Sequence, residues 1–147
     1  MRAKFLGVNL FVLILFILDR ATKYFFVENP SFIYGEDFIL SLRYATNNGI
    51  AFGLSVNTLI LQVLVIGIIF FLIHELLKAY HKHSVPLVLS LSLIVAGAFS
   101  NLMDRFQYGF VVDFIDLEYF TVFNIADAMI TVGVVILLIE AWLAKKH

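Results

Sequence analysis

Polar residues are spread very unevenly along this chain. Four runs are almost wholly apolar: about Phe5 to Val27, Thr58 to Leu77, Val85 to Met103 and Val122 to Ala144. Each reaches the roughly 20 residues that a helix needs to cross a bilayer. Between the first and second runs, Glu28 to Asn57 contains Pro30, Gly35, Gly49 and Gly53. Its alternating or β-rich pieces, DFILSLRYA and GIAFGLSV, predict a small sheet. Between the third and fourth runs, Asp104 to Thr121 reads as a shorter, acidic, aromatic loop. The N-terminus begins like a signal peptide, with Arg2 and Lys4 before FLGVNLFVLILFIL. DRATKYFF then stands where a small-x-small cleavage site would, so the run is read as an uncleaved first helix. The sequence has no internal repeat and no low-complexity segment.

Composition turns the four runs from buried helices into membrane spans. Of 147 residues, 62% are hydrophobic and 14% charged, against roughly 25% charged in a soluble domain. Such a chain stays folded only if most of its surface faces lipid. The expectation is a single membrane-embedded domain over residues 1–147, an α-helical integral membrane protein with four transmembrane helices. Cysteine is absent, which excludes disulfides, thiolate metal sites and a cysteine nucleophile. A net charge of −1 gives no sign of nucleic-acid binding.

Lysine and arginine set the orientation. Arg2 and Lys4, Lys78 and Lys82, and Lys145 and Lys146 fall on one side, because four spans place both termini and the middle loop together. That side holds six basic residues and two acids, Glu75 and Glu140, whereas the rest of the chain holds four basic residues and nine acids. The basic side is expected to be cytoplasmic, with both termini inside. The first and third helices then run outward and the fourth runs inward. Asp19, Arg20 and Lys23 come to the same outer depth as Asn101, Asp104 and Arg105, and as Asn124 and Asp127. The inner halves carry little besides Asn9, Gln62 and the His74–Glu75 pair. A shared polar layer in otherwise apolar helices points to a functional site.

Several of these residues also have ordinary readings. Asp19 and Lys23, at i and i+4 in the favourable acid-first order, can pair on a helix surface and snorkel to the interface. Asp104 and Arg105 end a helix where charges are common. Asp116 and Glu118 read as solvated mid-loop acids. Asn124 reads as a helix N-cap with Asp127 at the positive end of the helix dipole. Asp113 is harder to dismiss, because VVDFI flanks it with β-branched and aromatic residues. Two carboxylates in a poorly solvated site share one proton. The ionised one can take a proton from water and the protonated one can polarise a carbonyl, which is what peptide hydrolysis needs. Asp113 and Asp127 are the two acids most embedded in apolar sequence. Weaker arrangements stay open: a serine–lysine pair of Ser100 and Lys23, a hard cation held by the acids, a non-enzymatic lipid or lipoprotein binder, or a proton or ion carrier. The HKH of His81 to His83 reads as a solvated face.

Five blocks, in order and spanning nearly the whole chain, now carry a resemblance: DRATK at Asp19 to Lys23, NNGIAFG at Asn47 to Gly53, AGAFSNLMDR at Ala96 to Arg105, GFVVDFID at Gly109 to Asp116, and FNIADAMITVG at Phe123 to Gly133. The chain resembles lipoprotein signal peptidase, or signal peptidase II, the bacterial membrane aspartyl protease family. The resemblance implies removal of the signal peptide from diacylglyceryl-modified prolipoproteins, by cleavage just before the lipidated cysteine. It implies Asp113 and Asp127 as the catalytic dyad, with no metal or cofactor. It implies Asn47, Gly49, Asn101, Asp104, Arg105 and Asn124 as residues that line or support the substrate site, with Asp19 and Lys23 orienting. It also implies a small extracytoplasmic β-cradle over about residues 28–56, between helices one and two. The implied partners are prolipoprotein substrates and membrane lipids, with the enzyme a monomer in the bacterial inner membrane and its site near the outer face. Two departures stand out. The family usually has GGA-x-GN where this chain has AGAFSN, so Ala96 and Ser100 replace glycines, and the segment between the two aspartates is short.

Overall fold

The computed structural model describes residues 2–35, 39–49 and 58–146. In chain order the elements are α1 (Arg2–Glu28), β1 (Ile33–Tyr34), β2 (Leu40–Asn47), α2 (Thr58–His81), α3 (Val85–Gln107), β3 (Val111–Leu117) and α4 (Ile125–Ala144). All four helices are long and apolar enough to cross a membrane. Their large side chains point outward, as with Leu10, Ile14, Phe70, Phe71, Val135 and Leu138. That is the expected surface of a protein whose solvent is lipid.

α3 is the central helix and packs against α1, α2 and α4. Ser84 starts it by accepting a hydrogen bond from the Leu87 amide at 3.4 Å, with a proline in the first turn. Its contact with α4 depends on two glycines. A Cβ on Gly97 would lie 2.5 Å from the Ala126 carbonyl oxygen, and one on Gly133 would lie 2.7 Å from that of Ser90. The two backbones therefore approach more closely than any side chain permits.

The three strands form one antiparallel sheet in the order β1-β2-β3. Leu42 pairs with Ile115 and Ala45 with Asp113, three steps along β2 against two along β3. That extra residue is a bulge, a device that re-aims neighbouring side chains. The sheet rests on the end of α1, where Phe26 stacks on Phe114 at 5.3 Å beside the buried Val112.

The structure corrects several sequence expectations. Asp104 to Thr121 is not a loop. α3 continues to Gln107, so Asp104 and Arg105 are helical, and Val111–Leu117 is the third strand of the sheet. Val111 to Phe114 are all buried, on both faces of the strand, so no apolar–polar alternation marks them in the sequence. The sheet is therefore not confined to the segment between the first two helices. Asp116 is not mid-loop but on β3, where it stays part-exposed and pairs with Arg43 at 2.5 Å. β2 begins at Leu40, later than DFILSLRYA suggests, and GIAFGLSV lies, Gly49 apart, outside the described residues. α4 begins at Ile125 rather than Val122, because Phe123 is held in a bridge to Ile115. α2 runs on to His81, past the expected end at Leu77, and Gln62, expected in an inner half, lies instead at the site end, where its Nε2 donates to the Arg105 carbonyl at 3.2 Å.

Candidate active site

Asp127 is placed by the start of α4. Asn124 is extended and accepts a hydrogen bond from the Asp127 amide at 2.8 Å, while the Asn124 amide donates to Asp127 Oδ2 at 3.4 Å. This reciprocal capping box turns the carboxylate back toward the helix start. Asp113 is placed by β3, just beyond the bulge. Both carboxylates line one cavity of about 990 Å³, together with Asn47, Gly49, Asn101 and Arg105. The remaining wall is largely apolar and includes Phe120, Phe123, Ile130 and Val132. Val132 is half exposed on α4, so the cavity wall reaches the bundle's outer surface.

Two asparagines serve the two acids. Asn124 Nδ2 donates to Asp113 Oδ1 at 2.6 Å, and Asn101 Nδ2 donates to Asp127 Oδ1 at 2.7 Å. The asparagines are themselves joined, Asn124 Nδ2 to Asn101 Oδ1 at 3.2 Å. Burial pushes the Asp113 carboxyl up to about 7, and the neighbouring charge of Asp127 adds to this. Hydrogen bonds from Asn124 and Asn47 and the charge of Lys23 act the other way without cancelling the shift.

Behind this pair lies a second charged layer. Asp19, Lys23 and Asp104 are fully buried. Lys23 Nζ lies 2.8 Å from Asp104 Oδ2, 3.2 Å from Asp19 Oδ2 and 2.8 Å from Asn101 Oδ1. Arg20 pairs with Asp104 Oδ1 at 2.5 Å. Two acids and two cations thus balance, as burial requires. Asp19 Oδ1 also accepts from the Ala126 amide at 2.9 Å and Asp104 Oδ2 from the Val112 amide at 3.2 Å. Through these bonds the layer fixes the start of α4 and the start of β3. Among the described residues, no buried side-chain nitrogen or oxygen lacks a partner.

All ten residues expected at the site fall in these two layers. Asp113, Asp127, Asn47, Gly49, Asn101 and Arg105 face the cavity, whereas Asp19, Lys23, Asp104 and Asn124 hold them from behind. Arg105 Nη2 also holds the Gly49 carbonyl at 3.2 Å, and Gly49 donates its amide to Asn47 Oδ1 at 3.1 Å. Asp19 and Lys23 do not snorkel to a surface. The serine–lysine arrangement does not form either: Ser100 Oγ donates to Asp19 Oδ2 at 2.6 Å and accepts from Arg20 at 3.2 Å, while the Lys23 bonds go to Asp19, Asp104 and Asn101. Ser100 is thus absorbed into the charged layer. The sequence set Arg20 at this depth with Asp19 and Lys23 but did not count it among the site residues, although it belongs to this layer. Its signal was the count of charges: two buried acids need two cations, and Lys23 is only one.

Known proteins resemble this chain over most of its length. A family model described as Signal peptidase (SPase) II matches residues 11–143. The lipoprotein signal peptidase of Streptococcus thermophilus is 41% identical over 140 residues, covering 89% of each chain. That of Halothermothrix orenii is 34% identical over 147 residues, covering 95% of this chain and 97% of its own. A solved structure described as a bacterial membrane enzyme, obtained by the in meso method at 2.3 Å resolution, superposes with a TM-score of 0.82 at 29% identity. The match covers 95% of this chain and 89% of that one.

Proposed function

Because the chain belongs to the signal peptidase II family and is therefore a peptidase, we propose that it removes the signal peptide of diacylglyceryl-modified prolipoproteins, with Asp113 and Asp127 as the catalytic pair. The observation that carries this reading is the meeting of two carboxylates, from β3 and from the first turn of α4, in one cavity with a mostly apolar wall. The pair shares a single proton and titrates as a unit, and burial holds the Asp113 carboxyl well above the ordinary carboxylate range. The ionised carboxylate takes a proton from water as the oxygen attacks the scissile carbonyl. The protonated one donates to the carbonyl oxygen, giving a neutral tetrahedral diol. When the C–N bond breaks, a proton passes to the departing amine of the lipidated cysteine, and the pair returns to its starting state.

The wall of the cavity suits the substrate. A signal peptide with diacylglycerol attached arrives sideways from the bilayer. Apolar residues such as Val132 and Ile130 take the lipid-bearing side, while Asn47, Arg105 and the Gly49 region hold the extended peptide. The site lies near the outer face of the bacterial cytoplasmic membrane, where water reaches it.

The test is incubation of the purified protein with a diacylglyceryl-prolipoprotein, with and without chelator. Wild-type protein is expected to cleave in both conditions. Asp113→Asn and Asp127→Asn are expected to insert normally and to lose cleavage by at least about a thousandfold, as befits groups that move the proton. Full activity in either variant would remove the aspartate mechanism. Substrate binding without cleavage by the wild type would make the chain a lipoprotein-binding protein instead.

A further inference from the structure

Lys23 makes one bond that charge balance does not require. Its ammonium forms ion pairs with the carboxylates of Asp19 and Asp104 at 3.2 and 2.8 Å, and it also donates a hydrogen bond to the neutral amide oxygen of Asn101 at 2.8 Å. Asn124 Nδ2, whose two N–H groups are shared among Asp113 Oδ1, the Val112 carbonyl and Asn101 Oδ1, also faces that oxygen at 3.2 Å, so both neighbours of Asn101 Oδ1 are donors. That leaves the Asn101 amide a single orientation, with its oxygen toward Lys23 and its NH2 toward Asp127 Oδ1. Flipping it would set an NH2 against the ammonium and an oxygen against the carboxylate, two repulsive contacts in a buried site.

We propose that Lys23 is a positioning residue for the reaction: it orients the Asn101 amide, and through that amide it holds the Asp127 carboxylate toward the cavity. The effect passes from α1 through α3 to α4 by two consecutive hydrogen bonds of 2.8 and 2.7 Å. Lys23 itself does not line the cavity. The proposal rests on Asp127 being one of the working pair. Its rival is a Lys23 that does no more than neutralise Asp19 and Asp104.

Removing Lys23 alone would leave buried acids without their cation, so the test removes one acid with it. Lys23→Met combined with Asp104→Asn is compared with Asp104→Asn alone. The positioning role predicts that the double variant melts close to the single one, that its kcat lies about a hundredfold lower, as a misplaced catalytic group costs, and that its KM stays within about threefold. A kcat equal to that of the single variant would leave only the neutralising role and overturn the proposal. Should this double variant fail to fold, Lys23→Met with Asp19→Asn keeps the same charge balance and carries the same expectation against Asp19→Asn. A second readout does not depend on cleavage. In protein labelled with 15N-asparagine, the Asn101 side-chain NH2 is expected to exchange slowly in Asp104→Asn and to lose that protection when Lys23→Met is added; unchanged protection would also overturn the proposal. Wild-type protein and Asp113→Asn run alongside. If wild type does not cleave, or Asp113→Asn does, the protease reading fails, while the amide exchange still decides whether Lys23 orients Asn101.

Discussion

Asp113 shows how a single residue carries both a cost and a function. A carboxyl displaced from an ordinary 3.8 to about 7 binds its proton more tightly in the folded protein than in the unfolded chain. Where the folded state holds more protons, stability falls as pH rises. The contribution is fully present below about pH 4 and is lost by about pH 7. Asp113→Asn does not titrate. Thermal unfolding in detergent is therefore expected to give a melting temperature that declines less steeply for Asp113→Asn than for wild type between pH 4 and pH 7. Parallel curves for the two proteins would contradict this assignment. The same proton serves catalysis in the proposed mechanism, so cleavage by the wild type is expected to decline on the alkaline side of about pH 7, read from kcat against pH. At this scale the sequence was informative about both acids, because apolar flanks mark an acid that water does not surround. It said little about Arg20 and Ser100, whose partners lie 80 or more positions away and become neighbours only when α1 packs on α3.

The elements were legible in proportion to how one-sided their surroundings are. Long apolar runs bounded by charge announce helices that cross lipid, and all four appear within a few residues of their expected ends, apart from α2 and α3, which run past theirs. β3 was missed because both of its faces are covered, by α1 and by the site, which removes the alternation that reveals a strand. The α3–α4 contact was also silent, since a glycine's reason for being there is the backbone it meets. That contact makes a prediction about function. Gly97 faces the Ala126 carbonyl, one residue before Asp127, whereas Gly133 faces Ser90 almost two turns deeper. Overpacking at either glycine costs about 1–3 kcal/mol of stability. Gly97→Ala additionally pushes on the first turn of α4 and so on the carboxylate. The two variants are expected to lower the melting temperature by similar amounts, and Gly97→Ala to lose at least about tenfold more kcat than Gly133→Ala. Equal activity losses would show that the α3–α4 spacing near Ala126 does not tune the site.

At the scale of the whole molecule, the bilayer sorts the two ends. α3 is 23 residues long, or about 35 Å at 1.5 Å per residue, enough to cross a hydrocarbon core of about 30 Å with one end protruding. One end of the bundle carries the sheet and the buried acids. The other carries Lys78, Lys82, Lys145 and Lys146, with Lys146 over the Trp142 ring at 3.6 Å, an aromatic and basic pair suited to a membrane interface. We propose that the basic end is cytoplasmic, which places the sheet and the acids outside. The chain has no cysteine, so single cysteines report sidedness without background. Glu118 follows β3 and Lys146 follows α4, both exposed, at opposite ends of the bundle. In intact spheroplasts a membrane-impermeant maleimide is expected to label Glu118→Cys and to spare Lys146→Cys until the membrane is opened. The reverse pattern would put the acid pair on the cytoplasmic side, where a translocated signal peptide could not reach it. The peptidase reading for secreted lipoproteins would then fail, although the cavity and its two carboxylates would be unchanged.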